Sequence, residues 1–156
     1  MLESDPTLEK THYKRLYYWD QINDSFLKYD GECPFCGFEN ISHDQITSVI
    51  KKLKEKPETR RAILTLWQPQ DISDPYALCW TFAQILIRKG RVIMTVHFRS
   101  NDIYNAFPFN ILGIAILHKK IADEVGVKCG DFNVVIGSAH IYNHNISAAQ
   151  MHIDGE

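Results

Sequence analysis

The sequence predicts an α/β (α+β) domain, a mixed sheet with helices packed on it. Short apolar runs of strand type occupy the middle of the chain, at 61–67, 77–87 and 92–98. Segments of helical period flank them, at 42–57 and 108–125. The two kinds are interspersed, with no internal repeat or low-complexity tract, which fits neither an all-helix nor an all-strand architecture. The chain has 156 residues, 45% apolar and 23% charged. That suffices for one domain with its own core and is too apolar for a disordered chain.

Each element follows from local chemistry. Residues 1–30 read as helical: Asp5-Pro6 supplies an N-cap and a first-turn proline, and Tyr13, Leu16, Tyr17, Ile22 and Phe26 form a rough stripe that Gly31 ends. Residues 31–37 (Gly-Glu-Cys-Pro-Phe-Cys-Gly) form a turn-rich loop. A helix is then expected from a capping box, Ser42 with Gln45. Ile46, Val49, Ile50 and Leu53 share one face, lysines gather towards the C-terminal end, and Pro57 closes it. Three strand-type runs follow, the last two joined as a hairpin by Arg88-Lys89-Gly90-Arg91. On the run from Ala77, alternation sets Leu78, Trp80 and Phe82 on one side, Cys79 and Thr81 on the other. Pro108 to Val125 reads as a buried helix, apolar on most sides (Ile111, Leu112, Ile114, Ile116, Leu117, Ile121) and ended by Gly126. Asp131 to Tyr142 reads as a further strand, in which Gly137 marks a bulge or a close backbone approach.

Composition narrows the function. Net charge is -2, from 17 basic and 19 acidic residues, so no nucleic-acid footprint is expected. No apolar run nears the roughly 20 residues of a membrane span. The acidic, polar start MLESDPTLEK does not read as a secretory signal. Four cysteines are too few for a disulfide scaffold. A cytoplasmic location is expected, and each thiol must be core, ligand or nucleophile.

Cys79 alone would pass for a small core residue. Its company suggests more. Residues 98–102 (Phe-Arg-Ser-Asn-Asp) end a strand in two charges and a hydroxyl, and Arg99 beside a thiol would favour the thiolate. Asn110 places an amide at a helix start. His140 and Tyr142 share one strand face.

The segments Thr59-Arg-Arg61, Leu78-Cys-Trp80 with Gln84, Arg99-Ser-Asn-Asp102, Pro108-Phe-Asn-Ile111 and His140-Ile-Tyr142 resemble thymidylate synthase and its pyrimidine nucleotide hydroxymethylase relatives, in order and in spacing. The resemblance implies a single domain over 1–156: a family-like catalytic core at 42–149, and a divergent N-terminal helix and Cys-x-x-Cys loop at 1–41. It implies a thymidylate synthase-like mixed sheet that dimerises through its face. It also implies roles. Cys79 is the nucleophile that adds to C6 of the pyrimidine, making C5 able to attack the methylene of 5,10-methylenetetrahydrofolate, the co-substrate. Arg99 and Ser100 hold the substrate phosphate, and Arg60 and Arg61 reach the phosphate of the partner site across a homodimer. Asn110 pairs with the ring and favours uracil over cytosine. His140 and Tyr142 meet the sugar hydroxyl, Asp102 meets the pterin, and Gln84 lies near the nucleophile.

Taken singly, the same residues fit plainer roles: a solvated pair (Arg60, Arg61), a core histidine (His140), caps (Asn110, Asp102). The family's usual proline and histidine around the nucleophile are here Leu78 and Trp80, and its aspartate before the histidine is Ser138. The phosphate loop, the glutamate-bearing tryptophan segment and the closing tail find no match. The resemblance therefore implies a chain truncated at both ends. The reading is transfer of a one-carbon unit to C5 of a pyrimidine nucleotide, deoxyuridylate to thymidylate. The alternatives are hydroxymethylation, or a homologue that binds nucleotide or only dimerises. No metal is expected, with a structural zinc on Cys33 and Cys36 as the alternative.

Overall fold

The structure, a computed structural model, describes residues 44–155. The expected N-terminal helix, the Cys33–Cys36 loop and Ser42 lie outside the described residues.

Helix α1 spans Gln45–Glu55. Its cap is Asp44, not the expected Ser42 box. The Asp44 carboxylate accepts from the Thr47 backbone at 3.0 Å and from the Thr47 hydroxyl at 2.6 Å, satisfying a donor that the first turn leaves unpaired. Gln45 has other work. Its side-chain amide pairs with the backbone of Thr65, donating and accepting at 2.9 Å each, so it pins the start of α1 to the first strand. Asp44→Ala should lower stability by about 1 kcal/mol, read from the denaturant midpoint. An unchanged midpoint would remove the cap assignment.

The strands are β1 (Ile63–Thr65), β2 (Trp80–Arg88), β3 (Arg91–Phe98), β4 (Asn101–Asp102), β5 (Lys128–Ile136) and β6 (Ala139–His140). The main sheet has the order β1-β2-β3-β5, and β4 pairs with β6 in a two-stranded ladder. The first two pairings of the main sheet are antiparallel and β3–β5 is parallel, so the sheet is mixed, as expected. The β2–β3 hairpin closes through Lys89 and Gly90 at φ 50 and 69. Two consecutive positive φ values are those of a type I′ turn, whose twist matches the strands it joins.

Helix α2 (Phe107–Val125) crosses between the parallel strands β3 and β5, and α3 (Ile146–Asp154) ends the chain's described part. Ile46, Val49 and Leu53 of α1 join Ile114, Ile121 and Ala122 of α2 in one cluster with Leu64, Ala83, Ile85, Val92, Met94 and Val96 of the sheet. Each large member contributes roughly 1.5–3 kcal/mol by burial. The reading of α2 as buried on most sides is corrected here. Ile114, His118, Ile121 and Ala122 face the core, while Phe109, Leu112 and Ile116 are 76%, 60% and 63% exposed. One layer of sheet covers only one stripe of a helix.

Cys79 is also displaced from its expected setting. It lies in the bend before β2, not inside a strand. Trp80 pairs with Phe98 but Phe82 pairs with His97, so Thr81 is an extra residue, a bulge. The bulge inverts the alternation: Trp80 is buried, whereas Phe82 turns to the opposite, more open face and stacks on His97 with ring centroids 4.2 Å apart. Leu78, Trp80 and Phe82 therefore do not share a side.

Candidate active site

The carboxyl ends of the parallel pair β3 and β5, with the start of β2, form one end of the sheet. In open α/β sheets that end is where ligands are held. Most of the expected site residues gather there through short backbone links.

Arg99 follows β3 directly. Its backbone N–H donates to the Cys79 carbonyl at 2.9 Å. Its guanidinium donates to the Leu78 carbonyl at 3.1 Å through Nε and to the Ala77 carbonyl at 2.7 Å through Nη2, and lies over the Trp67 ring at 5.5 Å. Arg99 thus holds the bend that presents the half-buried Cys79 thiol. Two of its five N–H groups are used in this way, which leaves three for an anion.

Gly137 brings the next segment close. Its N–H donates to the Phe98 carbonyl at 2.9 Å, and a Cβ at this position would lie 2.9 Å from the Arg99 carbonyl oxygen. The expected close approach is therefore real, and it breaks the strand expected over 131–142 into β5 and β6. Beyond it, Asn101 pairs with Ala139 and Asp102 with His140. The Asn101 N–H donates to Ser138 O and the Ile103 N–H to His140 O, both at 2.9 Å.

His140 and Tyr142 do come together, edge to face with centroids 5.0 Å apart. His140 Nδ1 lies 3.4 Å from the Ser138 carbonyl. A carbonyl only accepts, so Nδ1 bears the hydrogen in the neutral ring and Nε2 is left as an acceptor for a hydroxyl. Asn110 sits in the first turns of α2, its Nδ2 3.4 Å from Asn101 Oδ1. Ser100 is half-buried between Arg99 and Asn101.

Asp102 accepts from the backbone N–H groups of Tyr104 and Asn105 at 3.0 and 3.2 Å and from Asn105 Nδ2 at 3.1 Å. It caps this turn. Desolvation, the largest single influence, pulls its carboxyl up. The Asn105 and Tyr104 hydrogen bonds and the charge of His140 together outweigh it and hold the group below the ordinary 3.8. A lowered folded-state value means that the contribution of Asp102 to stability is present above the unfolded value and is lost as pH falls through the folded one. In an NMR titration Asp102 should ionise below 3.8, and Asn105→Ala should move it back up. A midpoint at or above the ordinary value would contradict the turn's role.

Arg60 and Arg61 are not brought to this cluster. They precede β1, where Ala62 O accepts from Ile85 N at 2.8 Å, six residues and roughly 20 Å along the chain from Cys79. Gln84 keeps them company: its Nε2 donates to the Arg60 carbonyl at 3.2 Å. Among the described residues no group of three His, Cys, Asp or Glu side chains could hold a metal ion, and no helix is long and apolar enough to cross a membrane. Cys79 and Cys129 are free thiols.

The family model described as thymidylate synthase matches residues 5–156. The chain belongs to the thymidylate synthase family. The thymidylate synthase of Phytoplasma mali (strain AT) is 36% identical over 139 residues, which cover 85% of this chain and 48% of that relative. The chain therefore spans about half the length of the relative it matches. The mixed sheet with its packed helices agrees with the family's fold.

Several supporting residues carry little signal in the sequence. Trp67, under Arg99, had no local signal. Asn105 and Tyr104 carry no chemical signal in the sequence. Asn101 was hidden between two residues with obvious chemistry. His118, whose ring nitrogen Nε2 donates to Val92 O at 2.8 Å, anchors α2 to β3. Its spacing from Ile114 and Ile121 places it on the core stripe and would have found it.

Proposed function

We propose that this chain transfers a one-carbon unit from methylenetetrahydrofolate to C5 of deoxyuridylate, with Cys79 as the covalent nucleophile. The observation that carries the reading is the chain of short links that joins Cys79, Arg99, Asn110 and His140 at one end of the sheet in a member of this family.

In this reading the Cys79 sulfur bonds to C6, and the electrons of the C5–C6 double bond move towards O4. C5 becomes a carbon nucleophile. C5 bonds to the electrophilic methylene of methylenetetrahydrofolate as that carbon's bond to a folate nitrogen breaks. C5 then gives up its proton, the hydrogen that a C5 tritium label follows, and the Cys79 sulfur leaves C6 as the double bond re-forms. The free N–H groups of Arg99, with the Ser100 hydroxyl, hold the phosphate. The Asn110 amide accepts from N3–H and donates to O4. His140 and Tyr142 hold the sugar hydroxyl. The ionised Asp102 keeps lone pairs free to accept from the N–H groups of a pterin.

The working unit in this reading is a homodimer. Helices α1 and α2 cover one face of the sheet, while Ile63 and Phe82 on the other remain 44% and 36% exposed, a surface suited to a second copy. The distance of Arg60 and Arg61 from Cys79 fits a contribution to the partner's site. Chemistry that needs a free thiol suits the cytosol.

The test is tritium release from C5-labelled deoxyuridylate in the presence of methylenetetrahydrofolate. Release above background is expected, and its complete absence would overturn the reading. A concurrent rise in dihydrofolate absorbance distinguishes methylation from hydroxymethylation.

A further inference from the structure

Asn101 belongs to β4, and its backbone is held by the Ser138 carbonyl and by pairing with Ala139. Its side chain is 1% exposed. Buried amides normally satisfy both ends, yet Asn101 Nδ2 has no partner among the described residues. Its Oδ1 instead accepts from Asn110 Nδ2 at 3.4 Å.

The order of this contact has a chemical consequence. Two amides that touch through one hydrogen bond can be arranged in two ways. If Asn110 donates, its Oδ1 and its second N–H face outward together. If Asn101 donates, Asn110 Oδ1 is turned inward and both of its N–H groups face out. A uracil ring offers a donor at N3 and an acceptor at O4, so it needs the first arrangement. A cytosine ring offers an acceptor at N3 and a donor at N4, and gains nothing from it.

We propose that Asn101 is a positioning residue that sets the Asn110 amide for uracil by accepting its inner N–H. The proposal rests on the reading that Asn110 meets the pyrimidine. Asn101 does not touch substrate. It leaves its own Nδ2 unpaired in a buried setting, and the ring preference of the neighbouring amide is what that arrangement secures.

The experiment measures binding of deoxyuridylate and deoxycytidylate to the full chain by calorimetry, without folate. The unmodified protein should prefer deoxyuridylate, and Asn110→Ala should lose that preference. Asn101→Leu, of similar volume, should lower the ratio of the two affinities by roughly threefold to tenfold, the span of one hydrogen bond. Asn101→Asp presents only oxygens in its ionised form and should keep the preference for deoxyuridylate. If the unmodified protein binds neither nucleotide, the reading of Asn110 fails, and this proposal falls with it. If Asn110→Ala loses the preference but Asn101→Leu keeps it unchanged, the reading stands and the role of Asn101 is overturned. Thermal melts check folding. Should the leucine variant not fold, the folded aspartate variant decides, since loss of its uracil preference overturns the proposal.

Discussion

Cys79→Ala is expected to reduce tritium release from deoxyuridylate by at least roughly a thousandfold, since removing a covalent nucleophile eliminates the step on which later ones depend. Nucleotide binding should change little. The Cys79 carbonyl, not its side chain, accepts from Arg99, so alanine preserves the bend. The Arg99 guanidinium is held by the Ala77 and Leu78 carbonyls, which the substitution leaves in place. The expected signature is a collapse of kcat with a nearly unchanged affinity for deoxyuridylate, measured by calorimetry beside the tritium assay. If the alanine variant releases tritium at the unmodified rate, Cys79 is not the nucleophile and Cys129 becomes the next thiol to test.

Gly137→Ala should damage stability and site together. The added Cβ would meet the Arg99 carbonyl oxygen at 2.9 Å. That atom belongs to the backbone and cannot swing aside as a side-chain tip could. Either β5 and β6 separate from the end of β3, or Arg99 and Ser100 shift. Overpacking of this kind costs about 1–3 kcal/mol, a fall in Tm of roughly 3–9 °C for a chain of this size. Because Arg99, Ser100 and Asn101 sit on the displaced backbone, affinity for deoxyuridylate should fall as well. Gly113→Ala is the matched control. A Cβ there meets nothing within 4 Å, and alanine inside α2 should stabilise by roughly 0.5–1 kcal/mol. Equal effects of the two substitutions would remove the close approach as an explanation.

Much of the fold was legible from the residues. The β2–β3 hairpin was marked by Lys89-Gly90, and α2 by its period with Pro108 and Gly126 at its ends. The close approach at Gly137 was marked by a glycine inside a β-type run. These are local signals, expressed within a few residues of their cause. What was misread depended on partners far along the chain. Cys79 leaves the strand because carbonyls 77–79 turn to Arg99, twenty residues away and more. Phe82 changes face because Thr81 is bulged out. In the register it occupies, the Thr81 carbonyl accepts from Leu66 at 2.8 Å and from Trp67 at 3.1 Å. The cap of α1 passed to Asp44 because Gln45 is drawn to Thr65.

The same division holds for the site. Motif order along the chain was enough to identify the family and to single out Cys79, Arg99, Ser100, Asp102, Asn110, His140 and Tyr142 as candidates, because residue type and spacing are carried by the chain itself. Packing decided the rest. It separated Arg60 and Arg61 from Cys79, made Asp102 the cap of its own turn, and set Asn101 against Asn110. Hydrogen bonds between segments have no local signature. Which donor meets which carbonyl is settled only when the sheet register brings the ends of β2, β3 and β5 side by side.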